Sequence, residues 1–319
     1  MYYDRFLSTQ FENLFKKDGE LSWLIPYIKR MDDLDILIGK SNHQEYCSIY
    51  RGTSRIAMIS KNRGIYKVTA SDTYKKLGVH LYGNLDNRNF NEKNLEYLRQ
   101  TVENNNKFDR YYNNHKEGYY QNMVQRKYGI LADTESPILI VDKEVVIGYD
   151  NEAEKKSVFR TAQDEYKECK CNLQKSDSKK WGEPSKDKPL GNELDLLALD
   201  REGNVHLIEL KDGSNTAGIY MSPFQIGLYK RIFDKIDIKE TLINMVKQKQ
   251  RIGLLPKDWI IPHINNEYIP ELIIGGYKSR SSGYPQKFNM VMKYIKEQNI
   301  GIYNDICNIN VMDENLNVI

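Results

Sequence analysis

The chain is poor in cysteine and has no long apolar run. Its 319 residues include only four cysteines, and no two pairs of them stand at the spacing of a zinc site. We therefore expect no structural zinc, and the cysteine usage favours a reducing cytoplasm. No stretch approaches the roughly 18 apolar residues of a membrane helix. The opening MYYDRFLSTQFENLF lacks a basic segment followed by an apolar core, so no secretory signal is expected.

The chain also has little net charge. Lys and Arg number 47 against 44 Asp and Glu, which gives a formal net charge of +3. So small an excess does not by itself indicate a nucleic-acid-binding protein, and any basic surface must be local. Hydrophobic residues make up 40% of the chain and charged residues 29%, as in ordinary globular proteins, and the length suffices for two modest domains.

Residues 1–107 have the pattern of a small α+β accessory domain. A helix is predicted over 4–17, followed by the β segments DLDILIG, EYCSIYRG, SRIAMIS and GIYKVTA and by the helix NEKNLEYLRQTVENN. This module shows no nucleophile–base pair and no phosphate loop. We assign it no chemistry of its own, and it is our candidate surface for self-association or for a partner protein.

Residues 108–319 have the pattern of an α/β domain with a mixed sheet flanked by helices. The helix EGYYQNMVQRKYG is predicted to end at Gly129, and PILIVDKEVVIGY to form a strand pair or one bent strand. A polar insertion, residues 151–190, is predicted to contain a helix over 154–168 and then a mobile loop. A hairpin follows, then a helix with Pro223 near its start, the basic helix LINMVKQKQRIGLLP, the strand ELIIGGYK and a last helix.

The predicted hairpin, NELDLLALDREGNVHLIELKDG, carries charges in an apolar setting. A turn centred on Glu202 places Asp195 directly opposite Glu209, and alternation puts Lys211 on the same face. Apolar residues fill both faces, so the strands are expected to be central and covered on both sides. Two carboxylates with Cβ atoms roughly 5 Å apart repel each other and resist desolvation. A divalent cation would neutralise them, and hard oxygen ligands suit Mg²⁺ or Mn²⁺.

These three residues resemble the signature of the PD-(D/E)xK nuclease superfamily, an Asp followed on the next strand by Glu-x-Lys. The resemblance spans about residues 108–280 and implies a restriction-endonuclease-like core of helix, three strands, helix and strand. In that family, residues matching Asp195 and Glu209 bind Mg²⁺, and the residue matching Lys211 assists the attacking water. The alternative to a metal site is that these charged residues lie at an exposed hairpin end that a salt bridge stabilises.

A second resemblance lies on the helix after the hairpin. Gln225 and Tyr229 stand four residues apart and share one helix face. They are similar to the Gln-x-x-x-Tyr motif of the branch that includes the recombination exonucleases, where such residues support the metal site and hold the nucleic-acid backbone. Alternatively, Gln225 and Tyr229 have no role in catalysis and are part of a polar stripe on a surface helix.

The family often adds a glutamate from the first core helix, and two residues compete for that place. Glu117 begins the helix ahead of the first strand, which is the expected order, so we assign it as a catalytic residue and third metal ligand. Glu165 lies in the insertion between the first and second strands. That insertion departs from the family pattern and leaves the identity of the first helix open. The alternative for both glutamates is a solvated charge on a helix.

Basic residues suited to phosphate contacts lie along the second domain. They are Lys278, Arg280 and Lys287 near the strand ELIIGGYK, Lys247, Lys249 and Arg251 on the basic helix, and Lys175, Lys179, Lys180, Lys186 and Lys188 in the insertion. Tyr277 and Tyr284 lie among them and either stack on a base or belong to the core. His206 is predicted to face away from the acids.

The charged hairpin and the resemblance to the nuclease superfamily together imply a cytoplasmic, Mg²⁺-dependent nuclease that hydrolyses phosphodiester bonds of DNA. The sequence does not distinguish DNA from RNA as the substrate, single from double strands, or endonucleolytic from exonucleolytic cleavage. The resemblance most often implies bacterial restriction or anti-phage defence. The alternative is a protein that keeps the nuclease fold for nucleic-acid binding, or as a ligand-gated sensor, without sequence-specific cleavage.

Overall fold

The computed structural model of the chain describes residues 1–41, 44–52, 54–70, 88–89, 92–103, 114–184, 190–191, 193–278 and 284–319. These residues form two compact units, which we call the hairpin unit and the amino-terminal unit. The hairpin unit comprises residues 1–3, 137–240 and 261–319, and the amino-terminal unit comprises residues 4–136 and 241–260. Residues 114–136 thus cluster with the first hundred. The predicted domain boundary at 107 and 108 falls outside the described residues.

In chain order, the helices are α1 (Thr9–Asn13), α2 (Leu24–Arg30), α3 (Glu92–Glu103), α4 (Glu117–Gln125), α5 (Glu152–Lys155), α6 (Thr161–Ser176), α7 (Ser178–Trp181), α8 (Thr216–Phe233), α9 (Lys239–Arg251), α10 (Tyr284–Gln298) and α11 (Ile300–Ile306). The strands are β1 (Asp35–Ser41), β2 (Gln44–Arg51), β3 (Ser54–Asn62), β4 (Ile65–Ala70), β5 (Arg88–Asn89), β6 (Ile138–Val145), β7 (Leu194–Asp200), β8 (Val205–Asp212), β9 (Tyr268–Gly275) and β10 (Asn310–Asp313). No helix among the described residues is long and apolar enough to cross a membrane.

The amino-terminal unit is built on an antiparallel sheet with its strands in chain order, β1 to β5. The four predicted β segments and helix α3 are confirmed. The first helix is shorter than predicted, because Ser8 has an extended backbone and its hydroxyl accepts the N–H of Phe11, which starts the helix at Thr9. Helix α4 does not end at Gly129 as predicted. It continues into a π-helical turn, Arg126–Ile130, in which the Arg126 guanidinium donates to the carbonyl of Leu34 at 2.7 Å.

The hairpin unit is built on a mixed sheet with the strand order β10-β9-β8-β7-β6. Strands β6, β7 and β8 are antiparallel neighbours, whereas β9 and β10 run parallel to β8. Helix α8 packs against β8 and β9 and also contacts α6, α10 and α11. The predicted mixed sheet flanked by helices is confirmed. The segment PILIVDKEVVIGY forms one strand, β6, with a register shift between Ile140 and Asp142.

The insertion contradicts the prediction of a mobile loop after residue 168. Helix α6 runs to Ser176, and α7 follows it directly. Ala162, Tyr166, Cys169 and Leu173 recur at helical spacing and are buried in the core of the hairpin unit. This apolar stripe keeps a stretch helical whose Lys and Ser content suggests a loop. Residues 185–189 of the predicted loop lie outside the described residues.

Helix α8 starts seven residues before Pro223 rather than beside it. Asn215 caps the helix, since its side chain accepts the N–H of Gly218 at 2.9 Å. A proline inside a helix leaves the carbonyl four residues earlier without its usual donor. Here that carbonyl belongs to Ile219, and the Ser222 hydroxyl donates to it at 2.8 Å. The neighbouring serine therefore supplies the hydrogen bond that Pro223 cannot make.

Candidate active site

The β7–β8 hairpin has the predicted register. Leu196 lies opposite Ile208 and Leu199 opposite Val205, which corresponds to a turn centred on Glu202. The paired ladder stops at Leu196, one residue after Asp195. At that point the Asp195 carboxylate accepts the backbone N–H of Leu210 at 2.8 Å. The side chain of Asp195 thus takes over where backbone pairing ends, which fixes its position against the end of β8.

The ammonium group of Lys211 joins both acids on one face of the sheet. It donates to Glu209 Oε1 at 2.6 Å and lies 3.8 Å from Asp195 Oδ2. It also donates to the carbonyl oxygen of Leu210 at 2.9 Å. The Glu209 side chain is fully buried, and those of Lys211 and Asp195 are 12% and 22% exposed. The structure therefore brings Asp195, Glu209 and Lys211 together at an edge that solvent still reaches.

The electrostatics of Asp195 reflect this crowding. Burial raises the pKa of its carboxyl group, and the Lys211 ammonium and the Leu210 N–H oppose that rise without cancelling it. The carboxylate of Glu144 raises the pKa further. A carboxylate in these surroundings is stabilised by added positive charge, which is the condition under which a cation binds.

Gln225 and Tyr229 lie on α8, which packs on β8. The Tyr229 side chain is buried, and burial raises the pKa of its hydroxyl, with further rises from the charges of Glu209 and Asp195. The nearby polar side chain of Gln225 acts in the opposite direction and lowers this pKa. Tyr229 therefore lies close enough to the hairpin acids to feel their charge, and the Gln225 amide lies near its hydroxyl; the role of the pair at the site stays a prediction.

The chain was compared with protein-family models, with curated proteins and with solved structures. None of the three comparisons found a match. The chemistry of the site consequently rests on the geometry of the hairpin and of α8.

Sequence reasoning missed Gly191, which contacts both residues of the helix pair. Its φ is +118°, and a Cβ built on it would lie 2.9 Å from Gln225 Nε2 and 3.3 Å from the Tyr229 hydroxyl oxygen. The position therefore favours glycine twice, through its backbone angle and through the close approach of α8. A glycine four residues ahead of the first acid was the available signal.

Sequence reasoning also missed Glu144 on β6. Lys143 pairs with Leu196 and Val145 with Leu194, so Glu144 lies opposite Asp195. Glu144 is half-buried and has a φ of +49°. The signal was an acid within the apolar strand, but the register shift in β6 prevents its facing from being read by simple alternation.

The structure assigns one of the two competing glutamates, Glu165, to a different cluster. Glu117 starts α4 and belongs to the amino-terminal unit, so its role as a third ligand stays a prediction. Glu165 forms an ion pair with Arg231 and accepts from Asn299 Nδ2 at 3.0 Å. Glu165 thus belongs to a polar cluster that ties α6 and α8 to the start of α11. Among the described residues, no three His, Cys, Asp or Glu side chains are grouped to hold a metal ion.

Several predicted basic or aromatic residues have structural roles. Lys249 is buried, and Arg251 pairs with Glu12 at 3.0 Å. Tyr284 is a core residue that contacts Tyr277, with ring centroids 5.6 Å apart. Arg280, Lys186 and Lys188 lie outside the described residues. His206 faces away from the site as predicted, where its ring nitrogens contact the carboxylates of Asp200 and Glu271.

The oxygens around the Lys211 ammonium fit a hard divalent cation. Asp195 and Glu209 each contribute a carboxylate, and Leu210 contributes a carbonyl oxygen. Mg²⁺ commonly takes one or two carboxylates and completes its shell with water and phosphate oxygens. A third protein carboxylate is therefore not required for Asp195 and Glu209 to hold such an ion.

Proposed function

We propose that this protein hydrolyses phosphodiester bonds of DNA with the help of Mg²⁺ or Mn²⁺. The observation that carries the proposal is the Lys211 ammonium held between Asp195 and Glu209 at the end of a central hairpin. A purely structural salt bridge needs one acid, and a second, half-buried carboxylate adds a desolvation penalty that one ammonium does not offset. A divalent cation would balance the excess negative charge.

Each residue then has a defined part in hydrolysis. When bound, the metal would lower the pKa of water and stabilise charge on phosphate oxygens. Lys211 places a positive charge where the phosphorane develops negative charge. Gln225 and Tyr229 orient the backbone of the nucleic acid. Water oxygen adds to phosphorus and one P–O ester bond breaks, which yields a phosphate monoester and a free hydroxyl group.

The alternative is a nuclease-fold protein, a DNA binder or a ligand-gated sensor, that does not cleave. One observation favours it: among the described residues, no three His, Cys, Asp or Glu side chains are grouped so that they could hold a metal ion. A defence role, a cytoplasmic location and a partner for residues 1–107 remain proposals that accompany the nuclease function. An assay of DNA cleavage with and without a divalent ion distinguishes the nuclease from the protein that does not cleave.

The test is single-turnover cleavage of circular, linear and single-stranded DNA and of RNA, with Mg²⁺, Mn²⁺ or EDTA. We expect the wild type to cleave DNA only with a divalent ion and Glu209→Gln to be slower by about a hundredfold or more. The matched control is Glu271→Gln, the same change at another buried glutamate, on β9. It should keep the wild-type rate per folded molecule. DNA binding without cleavage in every condition would favour the alternative, and cleavage in EDTA would contradict the proposal.

A further inference from the structure

Two lysines of the hairpin unit lie over the faces of two aromatic rings that contact each other. The Lys180 ammonium is 4.7 Å from the ring centroid of Trp181, and that of Lys287 is 4.9 Å from the centroid of Tyr220. The two rings meet edge to face with centroids 5.8 Å apart. Lys287 also donates to the carbonyl of Lys180 at 3.3 Å. The side chains of α7, α8 and α10 thus form one surface, which we call the lysine surface.

The lysine surface has an unbalanced positive charge. Among the described residues, neither ammonium group forms an ion pair with a carboxylate, although both lysines are half-buried. Other half-buried cations of the same unit do have acidic partners, such as Lys230 with Asp234 at 2.6 Å. The nearby carboxylate of Asp177 accepts the backbone N–H of Lys180 and so caps α7. The missing counter-charge indicates an anionic partner.

We infer that the lysine surface binds phosphates of the DNA backbone, an inference that rests on the proposed function for the identity of the partner. Trp181 and Tyr220 are each only 6% exposed, so their rings are covered and do not stack on bases. Contact is then limited to the ammonium groups, which contribute affinity without reading sequence. The cation–π contacts hold the lysine side chains in place, which reduces the entropy lost when phosphate binds.

The lysine surface includes none of the candidate active-site residues, since its four side chains belong to α7, α8 and α10. Tyr220 precedes Gln225 by five residues on α8, which is about 7.5 Å along the helix axis and about 140° around it. A variant of either lysine therefore changes DNA binding without touching Asp195, Glu209 or Lys211.

The experiment is a salt titration of DNA affinity in EDTA, so that no cleavage interferes. We compare the wild type with Lys180→Gln, Lys287→Gln and the double variant on one duplex. Loss of each phosphate contact should reduce the slope of log affinity against log salt by about 0.9, and the double variant should lose roughly twice that. Lys287→Arg keeps the charge and should keep the slope.

The matched control is Lys293→Gln, since Lys293 lies on the same helix α10 but pairs with Glu297 at 3.8 Å. Its slope should equal that of the wild type. Equal slopes for the wild type and the double variant, both folded by circular dichroism, would overturn the inference and leave the proposed function standing. A wild type that binds no DNA at all would overturn both.

Discussion

Lys211 contacts a glutamate whose side chain is fully buried, and this changes what its removal should do. The sequence alone predicts that Lys211→Ala spares the fold, because a lysine at the end of a strand has no evident structural role. In the structure its ammonium is 2.6 Å from Glu209 Oε1. Removing one partner of a buried ion pair leaves an uncompensated charge, which typically costs about 3–5 kcal/mol.

We therefore expect Lys211→Ala to unfold more readily in EDTA, by about 3 kcal/mol, and to regain more stability than the wild type when Mn²⁺ is added. The ion would take over the neutralising role of the ammonium, and saturation at a hundredfold excess over Kd adds about 2.7 kcal/mol. Urea unfolding in EDTA and in Mn²⁺ measures both effects. Lys230→Ala is the control, since its pair with Asp234 on α8 is partly exposed and should contribute below about 1 kcal/mol. A variant that Mn²⁺ does not stabilise would argue against a metal at these acids.

His206 makes the stability of the hairpin unit depend on pH. Its Nδ1 is 2.9 Å from Glu271 Oε1, and its Nε2 is 3.2 Å from Asp200 Oδ2. Burial alone would lower the pKa of the imidazole, but the hydrogen bonds and charges of Glu271 and Asp200 outweigh burial and raise it above 6.5. A raised pKa stabilises the fold fully below the unfolded value near 6.5, and that stability is lost as pH rises through the folded value.

The free energy of unfolding of the wild type should therefore exceed that of His206→Gln by the largest margin near pH 5.5, and the margin should shrink above about pH 6.5. The pKa of Asp200 is lowered, so its contribution persists at pH 5.5 and does not distort the comparison. Urea unfolding from pH 5.5 to 9 tests this. His263→Gln, the same change at an exposed histidine, is the matched control for the substitution itself. A margin for His206→Gln that grows with pH would refute the assignment.

At the scale of elements, Gly191 allows the segment before β7 to approach α8 closely. A Cβ there would lie 2.9 Å from Gln225 Nε2, so Gly191→Ala should displace the Gln225 amide and slow cleavage. In a Gln225→Ala background the clash with the Gln225 amide is gone, and the same change should cost less by about 0.5–3 kcal/mol of coupling energy. Single-turnover rates and urea unfolding of the four proteins measure the coupling.

The control for backbone strain is Gly182→Ala. Gly182 also has a positive φ, +83°, but the nearest atom to its added Cβ is 3.9 Å away. It should lose stability through strain alone and show no coupling to Gln225→Ala. If Gly191→Ala behaves in the same way as this control, then Gly191 does not position Gln225.

The elements that the sequence predicts well are those whose own pattern determines them. Alternation and a Gly-containing turn determine the register of β7 and β8, and with it the shared face of Asp195 and Glu209. The start of α8 could not be predicted from the position of Pro223. Proline usually stands at the beginning of a helix, but here Ser222 donates a hydrogen bond to the Ile219 carbonyl and so allows the helix to start earlier. The position of Glu144 opposite Asp195 could not be predicted either, since the register shift in β6 breaks the alternation of side chains between the two faces.

At the scale of the whole molecule, the two compact units interleave along the chain. Residues 241–260 belong to the amino-terminal unit, where Gln248 donates to the carbonyl of Leu7 and to the carboxylate of Glu12. Arg251 pairs with the same glutamate. A helical pattern shows which face of α9 is apolar but not which segment covers it, so the sequence could not assign α9 to this unit.

A fragment of residues 1–107 should therefore fail to fold, although the sequence predicts it to be a domain. The Arg251 guanidinium, aided by Lys16 and Gln248, overcomes the effect of burial and lowers the pKa of Glu12 to about 2. Without α9 that carboxylate would be buried against fewer donors, and the core would lose Ile252 and Leu254. Residues 4–136 joined by a Gly–Ser linker to 239–260 restore these contacts and should unfold cooperatively. Thermal circular dichroism and amide proton dispersion compare the two fragments. Cooperative unfolding of 1–107 alone would show that α9 is dispensable for this unit.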